Sequence, residues 1–149
     1  MNARLSHAAV VVPDLVEACQ FYAELVGTDT VRVMEIPELG LRNAFVGVGT
    51  MVYFEIIQTY SGDPLRVLRE ELGHGQQMMC FECDDLVQTI ADLRARGHEV
   101  TNLPPTPTLQ FDRGWVRRAV RGDFPMELCP RGAVAALVDG STEIRVYDL

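Results

Sequence analysis

The chain has 149 residues, the length of one ordinary domain, and 48 % of them are apolar, enough for a packed core that buries roughly two thirds of the unfolded surface. Thirteen basic against twenty-one acidic side chains leave a net charge of −8, which argues against a nucleic-acid or anionic-membrane surface. No run approaches the ~20 apolar residues of a membrane span, and the short amino-terminal run Ala8–Val12 is no signal peptide, so a cytoplasmic protein is expected.

Residues 5–12 read as a buried strand, and Asp14–Val26 as an amphipathic helix with Leu15, Ala18, Cys19, Tyr22 and Leu25 on one stripe. Asp14 caps that helix, with Glu17 three residues on, and Gly27 ends it. Thr30–Glu35, Asn43–Val48 and Met51–Gln58 follow as strands, with turns at Pro37–Gly40 and Gly47–Gly49. Asp63–Leu72 opens on an acidic cap and a proline and reads as a short linking helix. Strand Gln77–Cys83, helix Asp85–Arg96 and strand His98–Asn102 come next. Leu103–Gly114 is too rich in proline for a central strand and reads as a mobile loop near a site. Trp115–Arg121 and Phe124–Cys129, around a turn at Gly122-Asp123, are the last two strands of the pattern. The tail from Arg131 lies outside it, and Glu143–Tyr147 alternates like an edge strand that extends a sheet or meets a partner subunit.

This succession is βαβββ written twice, over residues 5–58 and 77–130, in one domain of 149 residues with a tail at 131–149. His7 stands seven residues before Asp14, as Met78 stands seven before Asp85; Glu55 follows His7 by 48 residues, and Glu127 follows Met78 by 49. The expected fold is α+β, two βαβββ repeats forming an open, barrel-like curved sheet. With helices covering one face of each unit, the other faces enclose a cleft lined by alternate strand residues.

On that alternation Ala9 and Val11 face inward with His7, Tyr53 and Ile57 with Glu55, Pro125 and Cys129 with Glu127, and Cys80 with Met78. A histidine and two glutamates on otherwise apolar strands need a reason, because an unpaired buried carboxylate costs several kcal/mol. Metal coordination or a substrate proton supplies one. Taken singly, each residue also has a plain reading: a hydrogen-bonded histidine, a solvent-facing edge glutamate, a glutamate paired with Arg117, Arg118 or Arg121. Their equivalent placement in the two repeats is what marks His7, Glu55 and Glu127 as a set. The four cysteines, Cys19, Cys80, Cys83 and Cys129, sit in apolar segments and read as buried free thiols. Cys80 and Cys83, three apart on a strand, point to opposite faces and share neither a metal nor a disulfide.

His7 and its PDL, VYFEII, GHGQQMMCFECDDL and PMEL together resemble the vicinal oxygen chelate superfamily, and within it the methylmalonyl-CoA epimerase and glyoxalase group, over about residues 5–130. The stretch MEIPELGLRNAFVGVG is also similar to that before the first acidic ligand strand of the epimerases. The resemblance implies the glyoxalase/bleomycin-resistance fold, with four side chains holding a divalent ion (Zn, Mn, Co, Ni or Fe) that chelates two neighbouring substrate oxygens. Those positions fall on His7, Glu55, Met78 and Glu127. Met78 departs from the family, since a thioether is a poor ligand for hard ions. What is left is a three-ligand site of His7, Glu55 and Glu127 or a metal-free cleft. Strand parity turns Gln77 away, and His74 lies about 13 Å upstream, so neither replaces the missing ligand. An acidic base of the epimerases corresponds to Asn43, which cannot take a proton.

The resemblance thus points to an enzyme of proton transfer or rearrangement, epimerase- or cyclase-like, acting on a small oxygenated substrate of secondary metabolism. Glu55 or Glu127 is the general base, and His7 or a metal stabilises the enolate. Tyr53, Ile57, Met78, Cys80, Asn43 and Trp115 are the substrate-binding candidates, and their largely apolar character suits a hydrophobic ligand. Two other classes compete: a metal-free, antibiotic-sequestering binding protein, and a metal-dependent lyase or dioxygenase, which needs two histidines. A homodimer is expected, with no nucleic-acid or membrane partner.

Overall fold

The computed structural model describes residues 2–49, 51–59, 77–117 and 125–149. The expected linking helix at 63–72, His74, the turn at 122–123 and the residues from 118 to 124 lie outside them. The first half runs β1 (Ala3–Val11), α1 (Leu15–Val26), β2 (Thr30–Ile36), β3 (Leu41–Val48) and β4 (Met51–Thr59), with a 3₁₀ turn at Pro37–Leu39. The second runs β5 (Gln77–Cys83), α2 (Leu86–Ala95), β6 (Val100–Leu103), β7 (Arg113–Val116) and β8 (Met126–Pro130). The tail adds α3 (Ala133–Asp139), β9 (Thr142–Arg145) and a 3₁₀ turn at Val146–Asp148.

The caps are where the side chains demand them. Asp14 accepts from the amides of Val16 at 2.9 Å and Glu17 at 3.1 Å, and Asp85 accepts from that of Gln88 at 2.9 Å. Each takes up helix-start donors that have no partner within the helix. Gly27, at φ 83°, closes α1 by donating to the carbonyls of Ala23 and Glu24. At the end of α2, the His98 amide donates to the Leu93 carbonyl at 3.1 Å. His98 is therefore used up by the helix end, and β6 begins two residues later than the expected His98–Asn102.

The nine strands among the described residues form one open sheet in the order β6-β7-β8-β5-β1-β4-β3-β2-β9. Each half puts its first strand parallel to its last, with Ala9 opposite Glu55 and Cys80 opposite Glu127. The halves meet where β1 pairs antiparallel with β5, Ala8 opposite Met79, so His7 lies opposite Cys80 and Met78 opposite Ala9. The repeat seen in the sequence is thus a twofold relation about that junction, and it brings His7 and the two glutamate strands to the middle of the sheet. A register shift between Leu5 and His7 gives β1 a local bulge just before the histidine.

α1 packs on the first half through Leu15, Cys19 and Ala23 against Val10, Val31, Ala44, Val46 and Ile56. α2 packs on the second through Leu86 and Ile90 against Val100, Val116 and Leu128. The opposite, inward face carries its own apolar cluster of Ala9, Val11, Ile36, Leu41, Ile57, Met78, Leu109 and Trp115. α1 and α2 therefore cover one side of the sheet, while the curve of the other forms the wall of a cleft onto which the tail helix α3 packs.

Two differences from the sequence reading matter for the site. Arg113 and Gly114, expected in the loop, open β7: Arg113 lies opposite Leu103, and Trp115 opposite both Thr101 and Glu127. The tail does extend the sheet, β9 pairing antiparallel with β2, but it first folds α3. Glu82 anchors the start of α3 by accepting from the amides of Gly132 at 3.1 Å and Val134 at 3.3 Å. Arg32 holds its far end, donating to the carbonyls of Val138 at 3.1 Å and Ser141 at 3.0 Å. Among the described residues no helix is long and apolar enough to cross a membrane.

Candidate functional site

Inside the curve lies a cavity of ≈ 80 Å³ whose wall includes His7, Asn43, Glu55, Met78, Arg113, Trp115 and Glu127. The distant residues His7, Glu55 and Glu127 therefore converge on one space. Ile57, Met78, Asn43 and Trp115 line it as well. Tyr53 does not: it is 40 % exposed near the β3–β4 turn, beyond the end of the cleft. Cys80 is also absent from the wall, being buried with Cys129, Ala133 and Val134, its Sγ 3.7 Å from that of Cys129. For Cys80, strand parity could not say how far along the strand the cavity extends; beside Tyr53 the β3–β4 ladder shifts register between Val46 and Gly47, which interrupts the alternation counted from Glu55.

The polar groups form two clusters. In the first, buried His7 donates from Nε2 to Glu55 Oε2 at 3.1 Å, with Ser6 Oγ 3.0 Å from Nδ1. Asn43 donates from Nδ2 to Glu55 Oε1. Both oxygens of Glu55 are thus occupied, and the Asn43 Oδ1 left over is buried without a partner. A neutral His7 ring that donates from Nε2 to Glu55 leaves Nδ1 to accept from the Ser6 hydroxyl.

In the second cluster, Arg113 Nη1 lies 3.5 Å from Glu127 Oε2. Arg113 is 7 % exposed, and its Nε has no hydrogen-bond partner. Burial pushes the Glu127 carboxyl above the usual carboxylate value; Arg113 pulls it down, Glu55 pushes it up and His7 pulls it down, and burial prevails. A carboxylate held in this way is a stronger base than one in water.

Arg113 was not among the expected site residues. It is a partner of Glu127 that the sequence reading does not name; of the arginines considered for that role, Arg118 and Arg121 lie outside the described residues. The signal was present, since Trp115 was assigned to the cleft and Arg113, two residues earlier, shares its parity, but the prolines before it read as loop. Leu109, Phe111, Val134 and Leu137, from that loop and from the tail helix, also close over the cavity.

The donors do not suit a divalent ion as arranged. His7 Nε2 is engaged with Glu55, Glu127 faces a guanidinium, and the fourth family position presents the thioether of Met78. Among the described residues no three His, Cys, Asp or Glu side chains are grouped to hold one. A metal on His7, Glu55 and Glu127 would require the imidazole to give up its Nε2 proton and Arg113 to withdraw.

A family model for a glyoxalase-like domain matches residues 5–127. A mitochondrial methylmalonyl-CoA epimerase of Mus musculus is 32 % identical over 95 residues, which cover 62 % of this chain and 53 % of the epimerase. A lactoylglutathione lyase of Arabidopsis thaliana is 30 % identical over 104 residues, 69 % of this chain and 36 % of the lyase. The chain thus spans about half the length of the mouse relative and less of the plant one. In fold, the crystal structure of a methylmalonyl-CoA epimerase from Mycobacterium tuberculosis matches with a TM-score of 0.62 at 21 % identity, over 89 % of this chain and 91 % of that one.

Proposed function

Because the chain belongs to the glyoxalase-like domain family of the vicinal oxygen chelate superfamily, we propose that it is an enzyme of proton transfer, epimerase- or lyase-type, acting next to the carbonyl of a small, largely apolar substrate. The observation that carries this reading is the convergence of His7, Glu55, Arg113 and Glu127 on one apolar-walled cavity. Two carboxylates related by the twofold of the sheet offer a base on each side of a bound carbon. Glu127, its affinity for protons raised by burial, removes the proton. The His7–Glu55 pair supplies or accepts one from the equivalent position in the other half. Met78, Ile57, Leu109 and Trp115 bind the apolar part of the substrate and keep water away from the reacting centre.

A cavity of ≈ 80 Å³ holds the reacting end of a molecule and not a whole coenzyme, so the remainder of a larger substrate lies outside it. An apolar product of secondary metabolism fits the lining, and a homodimer is part of the same reading on the strength of the family resemblance.

The test is exchange with solvent. The protein is incubated in D₂O with methylmalonyl-CoA, lactoylglutathione and small branched ketones, and deuterium beside each carbonyl is followed by NMR. Exchange or isomerisation at unchanged carbon skeleton is the expected result. Stoichiometric capture of a ligand with no exchange would overturn the reading in favour of a binding protein.

A further inference from the structure

Arg113 is unusual on physical grounds alone. A guanidinium carries five N–H donors in a fixed fork, yet among the described residues this one, more than nine-tenths buried, meets a single acceptor, Glu127, at the outer limit of a hydrogen bond, and its Nε meets none. A charge taken so far out of water needs an anion or an oxygen acceptor close to it. Arg113 lines the same cavity as Glu55 and Glu127, and a molecule bound there can bring such an oxygen to it. The surroundings also define that oxygen. Two carboxylates, Glu55 and Glu127, already share the cavity with one guanidinium, so a substrate arriving as a free carboxylate would add a third negative charge. A neutral carbonyl adds none.

We infer that Arg113 is the resident cation of this site, receiving the carbonyl oxygen of an uncharged ketone, ester or thioester and holding the negative charge that appears there when the neighbouring carbon loses its proton. This deepens the proposed function and rests on it for the catalytic step. In that step the C–H proton passes to the Glu127 carboxylate. The C–H electron pair becomes the second bond between the two carbons, and the carbonyl π pair moves onto oxygen against Arg113. Return of a proton to the carbon reverses the electron flow. The total charge in the cavity never changes, which is the condition a low-dielectric site imposes. Arg113 thereby supplies the positive charge for which family relatives use a divalent ion. An ion seated on Glu127 would have to displace the guanidinium already there.

Binding and turnover separate the inference from the reading beneath it. The enolate of 2-methylcyclohexane-1,3-dione mimics the charged intermediate and 2-methylcyclohexanone the neutral substrate; both are titrated into the full chain with and without EDTA, following the fluorescence of the sole tryptophan, Trp115, in the cavity wall. Wild type is expected to favour the enolate, with one proton taken up on binding and no effect of EDTA. Arg113→Met is expected to lose the preference, and Arg113→Lys, which keeps the charge and guards against a variant that fails to fold, to retain part of it. Deuterium exchange should fall about a hundredfold in Arg113→Met, the usual loss for a missing oxyanion donor, mainly in kcat. Equal affinity for the two probes in wild type, a preference that survives in Arg113→Met, or one that needs added divalent metal would overturn the inference. An Arg113-dependent preference for the enolate without exchange on any carbonyl would uphold the cation and remove the enzyme reading.

Discussion

Glu38 in the first half of the chain grips Thr108 in the second: its Oε1 accepts from the Thr108 amide at 2.7 Å and its Oε2 from the Thr108 hydroxyl at 2.9 Å. The contact ties the 3₁₀ turn at Pro37–Leu39 to the segment before β7, and the flanking Leu39 and Leu109 both line the cavity. Partial burial opposes ionisation of Glu38, but hydrogen bonds from Thr106, its own backbone and Thr108 outweigh it and hold the carboxyl at about 2 against an ordinary 4.5. A lowered folded value means the fold prefers the ionised form. The latch therefore contributes in full above the ordinary carboxylate range and is lost as the pH falls from about 4.5 through about 2. Protection of the Thr108 amide, its exchange relative to an unstructured amide at the same pH, should be unchanged between neutrality and pH 5 and fall below pH 4. In Glu38→Ala it should be low at every pH; protection that survives in that variant would refute the latch.

Glu127 is expected to matter for turnover and for holding the charge of Arg113. Glu127→Gln keeps the shape and one carbonyl oxygen but leaves the buried guanidinium of Arg113 without its counter-charge, so the melting temperature should fall, while exchange at a substrate carbon falls by about 10²- to 10⁴-fold. Exchange at the wild-type rate would eliminate Glu127 as the base.

Asn43 should be structural for Glu55. Replacing it with Leu keeps the bulk but strips Glu55 Oε1 of its donor in a buried place, at a cost of about 1–3 kcal/mol in urea unfolding. Asn43→Asp would set a second carboxyl against the first and should cost more. If either variant is as stable as wild type, the Glu55 carboxyl is not held in the way described.

The tail helix should act as part of the wall. Glu82→Ala removes the acceptor for the Gly132 and Val134 amides, a cap whose loss usually costs about 0.5–2 kcal/mol. Because Val134 and Leu137 line the cavity, the same variant should weaken binding of the cyclic ketone probe. A loss of stability with unaltered affinity would place α3 outside the site.

The four thiols should be inert in the native protein. Burial pushes Cys19 up to about 12, a hydrogen bond with Cys129 and then burial raise Cys80, and burial raises Cys83. Ellman's reagent should find all four only after denaturation; rapid labelling of the native chain would contradict the packing around Cys80 and Cys129.

Much of this architecture was written in the order of residues. Asp14 and Asp85 mark helix starts because a carboxylate satisfies amides two or three positions on, and Gly27 marks an end because its left-handed backbone favours glycine. The equal offsets of His7 and Met78, and the nearly equal ones of Glu55 and Glu127, disclosed a duplicated unit because strand parity and helix length are local properties of the chain. From them followed which residues could face a common cleft.

What the order of residues could not supply was the third dimension of that cleft. Tyr53 and Ile57 stand at the same two-residue spacing from Glu55, yet only Ile57 reaches the cavity: the β3–β4 ladder shifts register beside Tyr53, and such a shift is decided by how the two strands pair. Arg113 sat in a stretch whose prolines speak for a loop, and only pairing with β6 and β8 carries it to Glu127. Charge compensation between groups fourteen residues apart is settled by how strands align across a sheet, and that alignment is a property of the packed whole.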